Sequence, residues 1–83
     1  MKVRVRYFAS LRERLGEEET VELPEGASVA ALRNLLVARG GDHAEALAAG
    51  RAVRCALDRR MCGESQVLAE GAEVAFFPPV TGG

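Results

Sequence analysis

One stretch of helical periodicity, set between segments that alternate, constrains this chain most. From Ser28 onward, Val29, Leu32, Leu35 and Leu36 recur at the spacing of one helix face, and Gly40-Gly41 ends the pattern. The opening "KVRVRYF" has period two instead. It sets Val3, Val5 and Tyr7 on one face and Arg4, Arg6 and Phe8 on the other, as a half-buried strand does. A second strand is expected in "EETVELPEG", with Val21 and Leu23 on one face and Pro24-Glu25-Gly26 as its turn. One amphipathic helix against one mixed sheet is an α+β two-layer domain.

The remaining segments fill in that plan. "ASLRERLG" predicts a short helix with Ser10 as N-cap, Gly16 as its stop, and Leu11 and Leu15 four apart. Asp42 is expected to cap a weaker helical stretch, "HAEALAA", closed by Gly50. "AVRCAL" alternates with Val53, Cys55 and Leu57 on one face. "DRRMCGES" reads as a turn region and "QVL" as a very short strand. "EVAFF" puts Val74 and Phe76 on one face, Ala75 and Phe77 on the other. The expected order is strand, short helix, strand, long helix, then three strands. Such an order permits the first and last strands to lie parallel at the sheet centre, as in a grasp-type fold.

Composition excludes more than it proves. Eighty-three residues make one small domain. A formal net charge of −1 gives no electrostatic case for nucleic acid or an anionic membrane surface. No apolar run approaches the roughly 18 residues that a membrane span needs, and "MKVRVRYF" lacks the character of a signal peptide. A cytoplasmic protein is therefore expected. Cys55 and Cys62, seven apart, match no zinc spacing and are read as one buried thiol and one turn thiol. No metal site is expected.

Side chains for catalysis are scarce. No phosphate-binding glycine loop is present. The lone His43, beside which the sequence places no acidic or cysteine partner, is read as an ordinary surface residue, and Glu17-Glu18-Glu19 as a solvated turn. The chain has the look of a poor enzyme by itself.

The sequence closes on "AFFPPVTGG", which divides it into a domain over 1–77 and an extended tail over 78–83. Six extended residues reach about 20 Å. Pro78 and Pro79 favour a polyproline-like exit, Val80 and Thr81 stiffen the tail, and Gly82 and Gly83 leave a thin tip suited to a narrow channel in a partner. An α-carboxyl, with a pKa of about 3.3–3.7, is an inert anion near neutrality. It becomes an acyl donor only after activation, such as transfer of AMP from ATP, and a partner must supply that site. By itself the glycine pair is a weak signal, and a frayed end is the readier reading of it.

Three segments in order, "VRYFASLRERLG", "LPEGASVAALRNLL" and "LAEGAEVAFFPPVTGG", resemble the small sulfur-carrier subunit of molybdopterin synthase, the MoaD family. The resemblance covers nearly the whole chain. It implies a ubiquitin-like β-grasp fold with a mixed sheet packed on one main helix. It further implies adenylation of Gly83 by an ATP-dependent enzyme related to ubiquitin-activating enzymes, and conversion to a thiocarboxylate with sulfur from a sulfurtransferase. The tail then delivers sulfur to cyclic pyranopterin monophosphate in the large synthase subunit, forming the dithiolene of molybdopterin.

On this reading the chain is a non-catalytic carrier subunit that binds no cofactor itself. ATP is used by the activating partner, and the assembly is a heterotetramer. Gly82 is the spacer. Phe8, Met61 and Phe77 match the family's apolar docking patch, and the strand faces agree independently for Phe8 and Phe77. Asp58, where relatives carry asparagine, and the neighbours Arg59, Arg60 and Cys62 depart from the pattern. The alternatives are a sulfur carrier for thiamin, cysteine or tRNA thiolation, a ubiquitin-like adaptor that is never activated, and a protein-conjugating modifier.

Overall fold

The computed structural model describes residues 1–79, and Val80, Thr81, Gly82 and Gly83 lie outside the described residues. Strands β1 (Lys2–Tyr7), β2 (Glu18–Glu22), β3 (Arg54–Leu57), β4 (Arg60–Cys62) and β5 (Glu73–Phe77) form one mixed sheet. Helices α1 (Ser10–Leu15), α2 (Val29–Val37) and α3 (Gly41–Leu47) complete the chain. The strand order is β2-β1-β5-β3-β4. β1 and β5 run parallel, with Val5 beside Val74 and Tyr7 beside Phe76, while the other pairings are antiparallel. This is the β-grasp arrangement that the order of elements permitted.

The alternation seen in the sequence explains the core. Val3, Val5, Tyr7, Val21, Cys55, Val74 and Phe76 project from the sheet's inner face and meet Val29, Leu32 and Leu36 of α2 and Leu47 of α3, all of them buried. Ser28, where the helical periodicity begins, caps α2, its hydroxyl accepting from the Ala31 amide at 3.2 Å. Gly40 and Gly41 both take positive φ, 76° and 56°, so the chain reverses there without a Cβ penalty.

Several local expectations are corrected. The N-cap of α1 is Ala9, not Ser10, because Ala9 turns the chain at φ 54° and Ser10 already lies inside the helix. The N-cap of α3 is Gly40 rather than Asp42, and Asp42 instead accepts from Arg14 on α1 at 3.0 Å. "DRRMCGES" is not wholly turn. Asp58 and Arg59, with φ of 47° and 70°, make the two-residue connection of a hairpin whose second strand is β4. Val67 contributes one isolated bridge, to Ser28, in place of a short strand.

A buried arginine fastens α2 to the chain that follows α3. Arg33 donates from Nε to the Leu47 carbonyl at 2.6 Å and from Nη2 to the carbonyls of Ala48 and Arg51 at 2.8 and 3.0 Å. It also pairs with the Glu64 carboxylate. A planar fork with five donors suits this irregular segment, whose carbonyls have no sheet partner to satisfy them. No helix among the described residues is long and apolar enough to cross a membrane.

Candidate functional site: an apolar groove at the base of the tail

The outer face of the sheet is organised by register. Arg6 on β1 lies beside Ala75 on β5, Ala75 opposite Ala56 on β3, and Ala56 opposite Met61 on β4. These positions alternate along each strand with the inward-facing ones, so they point away from the helices. Phe77 lies on the same face, opposite Arg54. Phe8 follows the last residue of β1 and donates its amide to the Phe76 carbonyl at 3.1 Å, which fixes it alongside β5.

The large side chains of this face leave small ones between them. Phe8, Ala9, Ala75, Phe77, Pro78 and Pro79 line an open groove of about 460 Å³. Phe8 is 37% exposed, and Met61, farther along the same face, is 60% exposed. Aromatic and thioether surface left in water over alanine-lined depressions is the composition of a docking patch. Arg6 stands at its edge with its guanidinium carbon 5.2 Å from the centre of the Phe8 ring. This cation–π contact holds the ring in place while leaving its other face free. On the far side of Pro78 a second, more polar groove contains Ser10, Arg14, Arg51 and Val53.

Phe8, Met61 and Phe77 are thus brought to one face, and Pro78 and Pro79 wall the groove from which the chain departs. Val80, Thr81, Gly82 and Gly83 belong to the same set of expected site residues but lie outside the described residues. Sequence reasoning did not single out Arg6, Ala9 or Ala75 for this site. Strand parity already grouped Arg6 with Phe8 and Ala75 with Phe77. An alanine with positive φ leaves no comparable mark.

The titratable cluster around Glu19 lies on the opposite, inner side. His43 does have an acidic partner, contrary to expectation: its Nε2 is 3.1 Å from Glu19 Oε2. Glu19 is not in a solvated turn either. It sits on β2, accepts from the Tyr7 hydroxyl at 2.8 Å, and pairs with Arg39. Burial raises the Glu19 carboxyl, but the hydrogen bonds from Arg39, Tyr7 and His43 outweigh it and hold the group below its usual range. Burial, followed by the bond to Glu19, pushes the Tyr7 phenol far up. This cluster ties β1 and β2 to the helices and does not open on the groove. Among the described residues no group of three or more His, Cys, Asp or Glu could hold a metal ion.

Comparison with known proteins places this geometry in context. Residues 5–83 match the ThiS family. Over 81 residues the chain is 37% identical to a protein of Escherichia coli (strain K12) named molybdopterin synthase sulfur carrier subunit, covering 98% of this chain and 99% of that one. A protein of Haemophilus influenzae with the same name is 34% identical over 79 residues, covering 95% and 96% of the two chains. Among solved structures, the chain is similar to one from the complex of subunits 1 and 2 of molybdopterin-converting factor from Helicobacter pylori 26695. The TM-score is 0.70, the identity 25%, and both chains are covered in full.

Proposed function

The chain belongs to the ThiS family, and from that membership we propose that it is a sulfur carrier, the small subunit of a molybdopterin synthase. The observation that carries this reading is the outer-face groove of Phe8, Ala75, Phe77, Pro78 and Pro79, which stands where the chain leads into Val80-Thr81-Gly82-Gly83. Near end-to-end similarity to two relatives named as such carriers supports the choice of pathway.

In the proposed cycle the sheet face docks and the tail does the chemistry. A cytoplasmic, ATP-dependent activating enzyme adenylates the Gly83 carboxyl, releasing pyrophosphate. The persulfide of a sulfurtransferase then displaces AMP, and a thiol reductant cleaves the resulting acyl disulfide to leave a thiocarboxylate. Phe8, Met61 and Phe77 seat the carrier on the large synthase subunit, two carriers on a large-subunit dimer. Pro78 through Thr81 carry the tip into the partner's active site, where glycine at 82 and 83 passes a constriction that a side chain would block. There the sulfur goes to cyclic pyranopterin monophosphate, and a second charged carrier completes the dithiolene. The present chain contributes binding and the acyl group. The catalytic residues and the nucleotide site are the partners'.

Reconstitution tests the assignment. Thiocarboxylated protein mixed with a purified large synthase subunit and the pterin precursor is expected to yield molybdopterin, and chain lacking Gly83 to yield none. Absence of product with intact thiocarboxylate, alongside thiolation in a thiamin, cysteine or tRNA assay, would move the protein to another pathway.

A further inference from the structure

Cys55 and Cys62 were expected to be unrelated thiols, but the hairpin sets them face to face. They are register partners across β3 and β4, with Sγ atoms 3.7 Å apart. The Cys55 thiol also donates to the Cys62 carbonyl at 3.3 Å. Both are free thiols. Facing residues of an antiparallel pair have Cα atoms about 4.5–5.5 Å apart, inside the range of about 4.4–6.8 Å that disulfides span.

We propose that Cys55 and Cys62 are a redox-modifiable dithiol site that closes to an intramolecular disulfide across the β3–β4 hairpin. Closure needs the two sulfurs to approach from 3.7 Å to about 2.05 Å. β4 can supply that movement, since it is a three-residue edge strand joined to the sheet, among the described residues, only through β3. The two thiols have different roles. Cys62 is half-buried at the sheet edge and is the one a solution oxidant reaches. Cys55 is 4% exposed. Burial, then its hydrogen bond with Cys62, pushes its thiol up to about 12, so it does not initiate; it resolves because it is held 3.7 Å from the Cys62 sulfur.

With a low-molecular-weight disulfide such as oxidised glutathione as oxidant, the step balances. The Cys62 thiolate attacks one sulfur of glutathione disulfide and one glutathione thiolate leaves. The Cys55 sulfur then attacks the Cys62 sulfur of the mixed disulfide, loses its proton, and expels the second glutathione. Two protein thiols are oxidised and one disulfide is reduced to two thiols. Met61 stands beside Cys62 on β4 and points to the outer face, so closure also pins the hairpin that presents it to a partner.

The test uses the full reduced chain, incubated with oxidised glutathione, alkylated with iodoacetamide, and read by intact and peptide mass spectrometry. The expected product is lighter than the reduced chain by two hydrogen atoms, alkylated at neither cysteine, and carries no glutathione. Dithiothreitol restores two alkylatable thiols. The Cys55→Ser chain, or Cys55→Ala if serine fails to fold, is expected to stall as a glutathione adduct on Cys62, and Cys62→Ser to leave Cys55 unreacted. A persistent glutathione adduct on the unsubstituted chain, a disulfide-linked dimer, or two untouched thiols would each overturn the proposal.

Discussion

The Tyr7 hydroxyl donates to Glu19 Oε2 at 2.8 Å, and the same carboxylate receives His43 and Arg39. Glu19 is thereby held below its usual carboxylate range although burial opposes its charge. A depressed carboxyl contributes stability above its unfolded pKa of about 4.3 and loses it as pH falls through the folded value. Glu19→Gln is expected to cost about 1–2 kcal/mol near neutral pH. Denaturant titrations of the two proteins are expected to converge as pH drops below about 4. A gap that stays constant down to acid pH would show that the carboxylate's charge contributes nothing.

Arg33 offers a second test, of packing rather than charge. Its guanidinium satisfies the carbonyls of Leu47, Ala48 and Arg51. Arg33→Leu strands the carbonyls of Leu47 and Arg51, whereas that of Ala48 keeps the Arg51 amide at 2.8 Å and Glu64 is exposed enough to return to water. The expected loss is about 3 kcal/mol, a fall in Tm of more than about 10 °C. Arg33→Lys, with one donor centre in place of a fork, should recover only part of it.

The hairpin turn carries strain that can be relieved. Arg59 has φ 70° and is exposed, and a left-handed residue with a Cβ costs about 1–2 kcal/mol. Part of that is offset because glycine gains freedom in the unfolded chain. Arg59→Gly should therefore raise stability by about 0.5–1 kcal/mol, measured by urea unfolding with an unchanged m-value.

On the outer face, function and stability separate. Phe8 contacts Arg6 and lines the groove but remains 37% exposed. Phe8→Ala is expected to move Tm by only a few degrees while weakening binding to the large synthase subunit at least about tenfold, the mark of an interface anchor. Isothermal titration beside thermal unfolding separates the two. Equal affinity for both proteins would remove Phe8 from the docking surface.

Much of this was legible before the structure. Alternation in "KVRVRYF" and "EVAFF" identifies the inward residues because the side-chain period of a strand is two, and Ser28 with its leucines marks α2. What stayed hidden depends on long-range placement or on unusual backbone. Glu19 and His43 are 24 positions apart, and only the fold, which carries His43 of α3 to Glu19 of β2, joins them. β4 was missed because Arg60 and Met61 on a three-residue edge strand are both exposed, which leaves little burial pattern to read. The positive φ at Ala9, Asp58 and Arg59 falls on residues that do not announce it. The outer face was half visible: parity grouped Phe8 and Phe77 outward, and the hairpin register was needed to bring Met61 to them.

The central claim concerns Gly83, and it is tested most directly by C-terminal peptide mass spectrometry. The protein is incubated with ATP, an activating enzyme proven on a known carrier, and a sulfur source. The predicted result is one oxygen replaced by sulfur, localised to Gly83 and reactive with a thiol-alkylating reagent. Localisation excludes oxidation of Met1 or Met61, which adds nearly the same mass. An unmodified Gly83 under those conditions would contradict the carrier account and leave the outer face as the binding surface of an adaptor.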